Sequence, residues 1–162
     1  MQHDHAHDHA HHGHGDADLT RQGIQATAHC LVGCALGEIV GMAIATAFGW
    51  PNGVQIVLAI ALAFAFGYAL TMRPVLRAGV PFPQASRIAL ASDTVSISVM
   101  ELVDNLFVLV VPGAINAGLG DALFWWSIIV GFAIAFIPAT LVNRWLIARG
   151  KGHAVVHQYH HH

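Results

Sequence analysis

Charged residues are scarce in this sequence. Only seven Lys and Arg and nine Asp and Glu occur among 162 residues, whereas 56% of the residues are hydrophobic. So little charge argues against an ordinary soluble domain and against the basic surface that nucleic-acid binding requires. The composition is instead typical of a polytopic membrane protein, with the lipid bilayer as its first partner.

Enzyme motifs and a signal peptide are also missing. The chain contains no phosphate-binding loop, no Gly-x-Ser-x-Gly, no His-Glu-x-x-His and no Cys-x-x-Cys, so nothing in it supports an enzyme. The first 18 residues hold no Lys or Arg and no apolar core, and we expect no cleavable leader. The two cysteines, Cys30 and Cys34, lie four residues apart in one predicted helix, and we interpret them as thiols.

Long apolar segments predict an all-α fold with four transmembrane helices. A helix rises about 1.5 Å per residue, so roughly 20 residues cross a ~30 Å hydrocarbon layer. Thr20 is a candidate cap for the first helix. The predicted helices cover residues 21–48, 54–72, 84–111 and 122–147 of a membrane domain spanning residues 20–150.

The positions of the basic residues predict the orientation. The connections at 49–53 and 112–121 contain no Lys or Arg. Because cytoplasmic loops carry the excess of Lys and Arg, both termini should be cytoplasmic (N-in, C-in) in a bacterial or archaeal cytoplasmic membrane. Nearly all basic residues lie in the loop between the second and third helices, at the start of the third helix, or at and after the end of the fourth: Arg73, Arg77, Arg87, Arg144, Arg149 and Lys151.

Histidine-rich tails flank the membrane domain at residues 1–19 and 151–162. The N-terminal tail interleaves histidine with Asp, Ala and Gly and is predicted to be disordered. Imidazoles at this density indicate capture of Zn²⁺, Ni²⁺ or Cu²⁺, although a solubilising tail is the simpler interpretation. The capture residues would be His3, His5, His7, His9, His11, His12, His14, His153 and His157.

The first helix combines an apolar sequence with side chains that can ligate or titrate. At about 100° per residue, one ridge carries a thiol, a second thiol and a carboxylate, and the adjacent ridge carries glycines at four-residue spacing. Such glycines allow close helix packing, so the polar ridge should face a helix bundle. The polar ridge consists of Cys30, Cys34, Glu38 and Met42. The adjacent ridge consists of His29, Gly33, Gly37 and Gly41.

The third helix has an acidic face. Asp93, Met100, Glu101 and Asp104 fall within an arc of about 100°, with Ser96 beside them. A carboxylate at the centre of a membrane helix costs about 2.5 to 3.5 kcal/mol even on lenient scales. These acids therefore need protons, bound cations or both, because no basic residue is predicted at their depth.

Together the polar faces of the two helices predict a ladder, that is, a series of ligands that follow one another across the membrane. Its cargo would be a transition-metal cation: Cu, Zn, Ni or Co. Counting along both helices orders Cys30 first, then Cys34 level with Asp93, then Glu38, Glu101 and Asp104. Thiols select the ion and carboxylates balance its charge. The predicted ligands are His29, Cys30, Cys34, Glu38, Asp93 and Glu101, with Ser96, Met100 and Asp104 as further pathway residues.

Simpler interpretations remain open for several of these residues. For His29, a hydrogen bond to a helix or a lipid headgroup near the interface is an equal alternative to metal ligation, and buried thiols are most often packing residues. Met42 and Met100 are more typical of core filling than of ligation. Intramembrane acids, by contrast, indicate function by default.

The motifs resemble an uncharacterised family of small bacterial and archaeal membrane proteins, classed only as a domain of unknown function. The resemblance covers most of residues 24–157 and implies a four-helix membrane domain without an assigned activity. This chain departs from the family pattern at Glu101 and Asp104, where the third helix is more acidic. The matching residues are His29-Cys30, Gly33-Cys34, Gly37-Glu38, 92–96, 124–126, Gly131-Phe132, Pro138, Asn143, 145–147 and Gly150.

The leading hypothesis is a membrane protein that binds and translocates a transition-metal cation. Four helices leave little room for a pathway, so a homo-oligomer is expected. One alternative is a structural or assembly subunit of a larger membrane complex. A second is a proton or electron relay, with His29 as a haem ligand and the acids as proton carriers.

Overall fold

The protein forms a bundle of four long helices. The computed structural model describes residues 8–149, and side-chain surroundings from residue 16 onward except at residue 88. Within that range there is no strand, so the all-α prediction is confirmed. The helices are α1 (Asp8–Phe48), α2 (Asn52–Arg77), α3 (Phe82–Val110) and α4 (Ala122–Ala148), with a short 3₁₀ helix (Ala114–Asn116) before α4.

Three helices are long and apolar enough to cross a membrane: Asp16–Phe48 within α1, Asn52–Arg77 and Ala122–Ala148. They indicate a membrane protein. Helix α3, which contains Asp93, Glu101 and Asp104, is not among these three helices.

The tail predictions fall largely outside this structure. His3, His5, His7, His153 and His157 lie outside the described residues. The side-chain surroundings of the remaining predicted capture residues, His9, His11, His12 and His14, are not described either.

Two helix boundaries differ from the sequence prediction by more than two residues. The first helix begins at Asp8 rather than near residue 21. Thr20 does not cap α1, because its hydroxyl donates to the backbone oxygen of Asp16 at 2.8 Å, one turn back in the same helix. The second helix continues through Pro74 to Arg77. A proline near the end of a helix removes one backbone hydrogen-bond donor, but it does not have to end the helix.

The four helices pack as a ring, with one contact across it. Each helix touches the next in sequence, α4 returns to α1, and α1 also contacts α3 across the centre. An ion pair at 2.8 Å between Asp16 and Arg144 joins the start of the α1 span to the end of α4. These two ends therefore lie at the same end of the bundle.

The predicted glycine ridge of α1 packs against α2. A Cβ built on Gly37 would overlap the backbone of Ala63, one on Gly33 would lie 2.8 Å from the Cα of Gly67, and one on Gly41 would lie 2.8 Å from the Cα of Ala59. Small residues on both helices thus let the two backbones touch. The ridge is occupied within the chain, so it is not available to a second copy.

Replacement of Gly37 by Ala should destabilise the bundle by about 1 to 3 kcal/mol, because the backbone of Ala63 cannot move as a side-chain end could. Gly53→Ala, also in a helix but with nothing within 4 Å, is the matched control and should be neutral or slightly stabilising. Thermal unfolding in detergent measures both. Equal melting temperatures for the two variants would contradict this packing.

Candidate functional site

A continuous set of polar side chains lies between α1 and α3 in the centre of the bundle. Asp93, Glu101 and Asp104 are all buried on α3, and Cys30 and Cys34 are buried on α1. The tight α1–α2 contact turns the thiol ridge of α1 away from α2 and towards α3. We call this set the polar ladder and describe it from the end that carries Arg144.

The first level of the polar ladder is a hydrogen-bonded network centred on Asn143 of α4. Its amide nitrogen donates to the hydroxyl of Thr27 at 2.9 Å and to that of Ser96 at 2.8 Å. The thiol of Cys30 also contacts the Ser96 side chain. One amide therefore ties α1, α3 and α4 together, with Asn143, Thr27 and Ser96 all buried.

Asp93 lies beside this first level. Its carboxylate accepts a hydrogen bond from the hydroxyl of Ser92 at 2.7 Å, and Thr71 of α2 is its other polar neighbour. The Asp93 carboxyl group also lies near the thiol of Cys30 and interacts with it electrostatically. Asp93 is thus held by hydroxyl groups.

The second level pairs Cys34 of α1 with Glu101 of α3, whose side chains are hydrogen-bonding neighbours. Asn105, one turn further along α3, donates to the Glu101 carboxylate at 3.4 Å and to its backbone oxygen at 2.8 Å. Glu101 is 4% exposed, and its Oε1 atom has no hydrogen-bond partner among the residues that the structure describes.

The third level is a pair of carboxyl groups, Glu38 of α1 and Asp104 of α3, within hydrogen-bonding reach of each other. Ionised carboxylates only accept hydrogen bonds, so the pair needs a shared proton or a cation between its oxygens. Asp104 is 1% exposed, and its Oδ1 atom lies against Gly131 of α4, where a Cβ would overlap it. Gly131 therefore makes the space that the Asp104 carboxyl group occupies.

Buried basic side chains do not balance these acids. Within residues 16–149 no Lys or Arg is buried, and Arg144, the least exposed of them, pairs with the exposed Asp16. Unpaired buried charge is strongly unfavourable, so the polar ladder requires protons or cations.

A cavity adjoins the carboxyl pair at the opposite end of the bundle from Arg144. Its volume is about 60 Å³, and all four helices and the 3₁₀ helix contribute to its walls. At roughly 10 to 15 Å³ of such volume for each water, it has room for a few waters or one small hydrated ion. Its polar lining comprises Glu38, Asn52, Gln55, Asp104, Asn105 and Ser127.

The predicted register between α1 and α3 is off by up to about two turns, because the prediction placed Cys34 level with Asp93, whereas Cys34 meets Glu101 further along α3. Asp93 lies near Cys30 rather than Cys34, while Cys34 meets Glu101 and Glu38 meets Asp104. Counting from helix ends could not give this register, because the packing of α1 on α2 and the Asn143 bridge set it.

The six predicted metal ligands form pairs rather than one centre. His29 is separate from the others, since it hydrogen-bonds to the backbone of Leu70 in α2. Across the part of the chain that the structure describes, no three His, Cys, Asp or Glu side chains form a group that could hold a metal ion. Met100, one of the predicted pathway residues, is fully buried in the apolar core together with Ile97.

Several residues of the site were not predicted to take part in it, and Asn143 and Gly131 are two of them. Asn143 is an amide in a largely apolar helix, which is the signal that could have identified it. Gly131 gives no such signal, because its role depends on which α3 side chain lies opposite.

The fold and site define a helical membrane protein with an acidic, thiol-containing interior. The chain matches a domain of unknown function (DUF4396) over residues 20–152, and it belongs to that family. No curated protein and no solved structure matches it significantly.

Replacement of Asn143 by Ala should destabilise the protein by about 1 kcal/mol, because two buried interhelical hydrogen bonds are lost at about 0.6 kcal/mol each. Asn116→Ala is the control, because it removes one exposed side-chain hydrogen bond, the one that Asn52 donates to Asn116. Its effect on stability should be smaller. Unfolding in a denaturing detergent measures both. A larger loss for Asn116→Ala would contradict the central role of Asn143.

Proposed function

We propose that the protein spans the membrane four times with both termini in the cytoplasm. The acids of α3 point inward, while its outer face carries Leu102, Leu106 and Leu109, each more than half exposed. The exposed hydroxyls of Thr94 and Ser98 donate to backbone oxygens one turn back, which suits contact with lipid. The start of the α1 span and the end of α4 lie at the same end of the bundle, and the arginines are clustered along the chain. Both observations support an orientation with the two termini in the cytoplasm.

We further propose that the protein binds a transition-metal cation in the polar ladder and translocates it. The observation that carries this proposal is a series of buried thiol and carboxyl groups for which residues 16–149 provide no buried Lys or Arg as a partner. A resident structural metal normally has four protein ligands. Paired ligands that follow one another along the bundle suit a cation in transit, with water completing its coordination.

Protons occupy the carboxyl pairs when the cation is absent. Metal ions bind deprotonated carboxylates and thiolates, so each binding step releases protons. Entry of a metal at Glu38 and Asp104 would displace their shared proton, and Cys34 beside Glu101 would offer the next pair of donors. Metal movement in one direction is thereby linked to proton release. The histidine-rich tails would bind the ion after it leaves the polar ladder on the cytoplasmic side.

Proton relay without metal is the second candidate, favoured by the carboxyl pair of Glu38 and Asp104. Both functions use the same residues, and they differ only in the cargo. Reconstituted vesicles separate them, since one predicts metal accumulation and the other predicts proton flux in the complete absence of metal. Neither activity would be expected of an assembly subunit or of a homo-oligomer with a purely structural role.

Replacement of Asp104 by Asn should lower metal uptake into proteoliposomes at least tenfold, because the carboxyl pair loses the charge that holds the cation. Asp121→Asn makes the same chemical change at an exposed site outside the polar ladder and should retain uptake. Uptake of Cu⁺, Zn²⁺, Ni²⁺ and Co²⁺ is measured by elemental analysis of the vesicles. Undiminished uptake by Asp104→Asn would reject this pathway.

A further inference from the structure

We propose that the carboxyl pair of Glu38 and Asp104 is a cation-loading site reached only from the end of the bundle that contains residues 49–51 and 111–121, while the opposite end of the polar ladder is closed. The identity of the cation rests on the proposed function. The side of access does not, because it follows from the cavity and the hydrogen bonds.

The cavity provides the open side. It begins among residues of the 49–51 and 111–121 end, including Asn52, Ala114 and Ile115, and it reaches Glu38 and Asp104. Glu38 is partly exposed and meets an incoming ion first. Asp104 lies behind it at 1% exposure, and its Oδ1 atom accepts no hydrogen bond from any residue of the described part of the chain.

The cavity walls suit a small cation that has lost part of its water. Amide oxygens of Asn52, Gln55 and Asn105 and the hydroxyl of Ser127 are available as replacement ligands. The Ser127 oxygen is buried without a hydrogen-bond partner. The chain at this end also contains no Lys or Arg between residues 49 and 72 or between 112 and 143, so no basic side chain repels the ion. At about 60 Å³ the cavity is too small for a larger organic ligand.

The Asn143 network provides the closed side. Its amide nitrogen holds Thr27 of α1 and Ser96 of α3 at the same time, and all three side chains are at most 2% exposed. Ile97 and Met100, both completely buried, fill the α3 positions between this network and the carboxyl groups. An ion arriving from the end that carries Arg144 would have to break two buried hydrogen bonds and displace packed side chains.

Silver labelling of two matched cysteine variants tests the side of access. Ser127→Cys and Ser96→Cys make the same small change at sites that are 2% and 0% exposed, and only the first lines the cavity. Both are made in the Cys30→Ser, Cys34→Ser full-length chain. Ag⁺, a small cation that binds thiols, is added to sealed vesicles that contain the protein in one orientation or the other. The protein is then unfolded and treated with N-ethylmaleimide. A thiol that Ag⁺ has blocked fails to react with N-ethylmaleimide. Exposed Gly120→Cys and Ala148→Cys mark the two ends of the bundle.

Ag⁺ should block Ser127→Cys in the vesicles in which it blocks Gly120→Cys. There it should block Ser96→Cys more slowly, because Ag⁺ reaches that site only by passing along the polar ladder, and it should not block Ser96→Cys from the Ala148 side. Blocking of Ser96→Cys from the Ala148 side, or of Ser127→Cys from that side only, would overturn the proposal. Met42→Cys, which also lines the cavity, gives the same readout if Ser127→Cys does not fold. Labelling does not depend on transport, so the two proposals can fail separately. The predicted labelling pattern in a protein that takes up no metal would reject only the proposed function. Metal uptake together with the opposite labelling pattern would reject only the proposed side of access.

Discussion

The backbone contact between α1 and α2 determines the rest of this structure. Gly33, Gly37 and Gly41 lie so close to the small residues of α2 that no side chain fits between them. On a helix, the ridge beside a buried glycine ridge is fixed in direction, so Cys30, Cys34 and Glu38 must face the interior. The partly exposed His29 reaches the α2 backbone instead, which explains why it leaves the polar ladder.

Burial of the acids is the second consequence, and it opposes stability. Glu38, Glu101 and Asp104 meet one another across α1 and α3 without a buried basic partner within the described residues. An apolar core of the same shape would be expected to be at least as stable. Gly131 makes room for the Asp104 carboxyl group, and the cavity gives the carboxyl pair access to solvent. Retention of such a costly arrangement is the reason to assign it a function in cation binding.

Much of this architecture can be read from the sequence, because helical periodicity is a local property. The four helices, the small-residue ridge and the two polar faces follow from spacing alone. The start of α1 at Asp8 and the continuation of α2 through Pro74 do not, since helix ends depend on weak local preferences. The α1–α3 register and the role of Asn143 depend on contacts between residues more than 45 positions apart. No local pattern encodes those distances.

The central claim is that the buried carboxyl groups carry protons that a transition-metal cation replaces. Infrared spectroscopy of the purified metal-free protein tests it directly, because protonated carboxyl groups have a C=O stretch separate from that of carboxylates. The account predicts such a band in the unmodified chain, a weaker band in Glu38→Gln with Asp104→Asn, and loss of the band when Zn²⁺, Cu⁺, Ni²⁺ or Co²⁺ is added. A band that none of these ions changes, or no band at all in the metal-free protein, would contradict it.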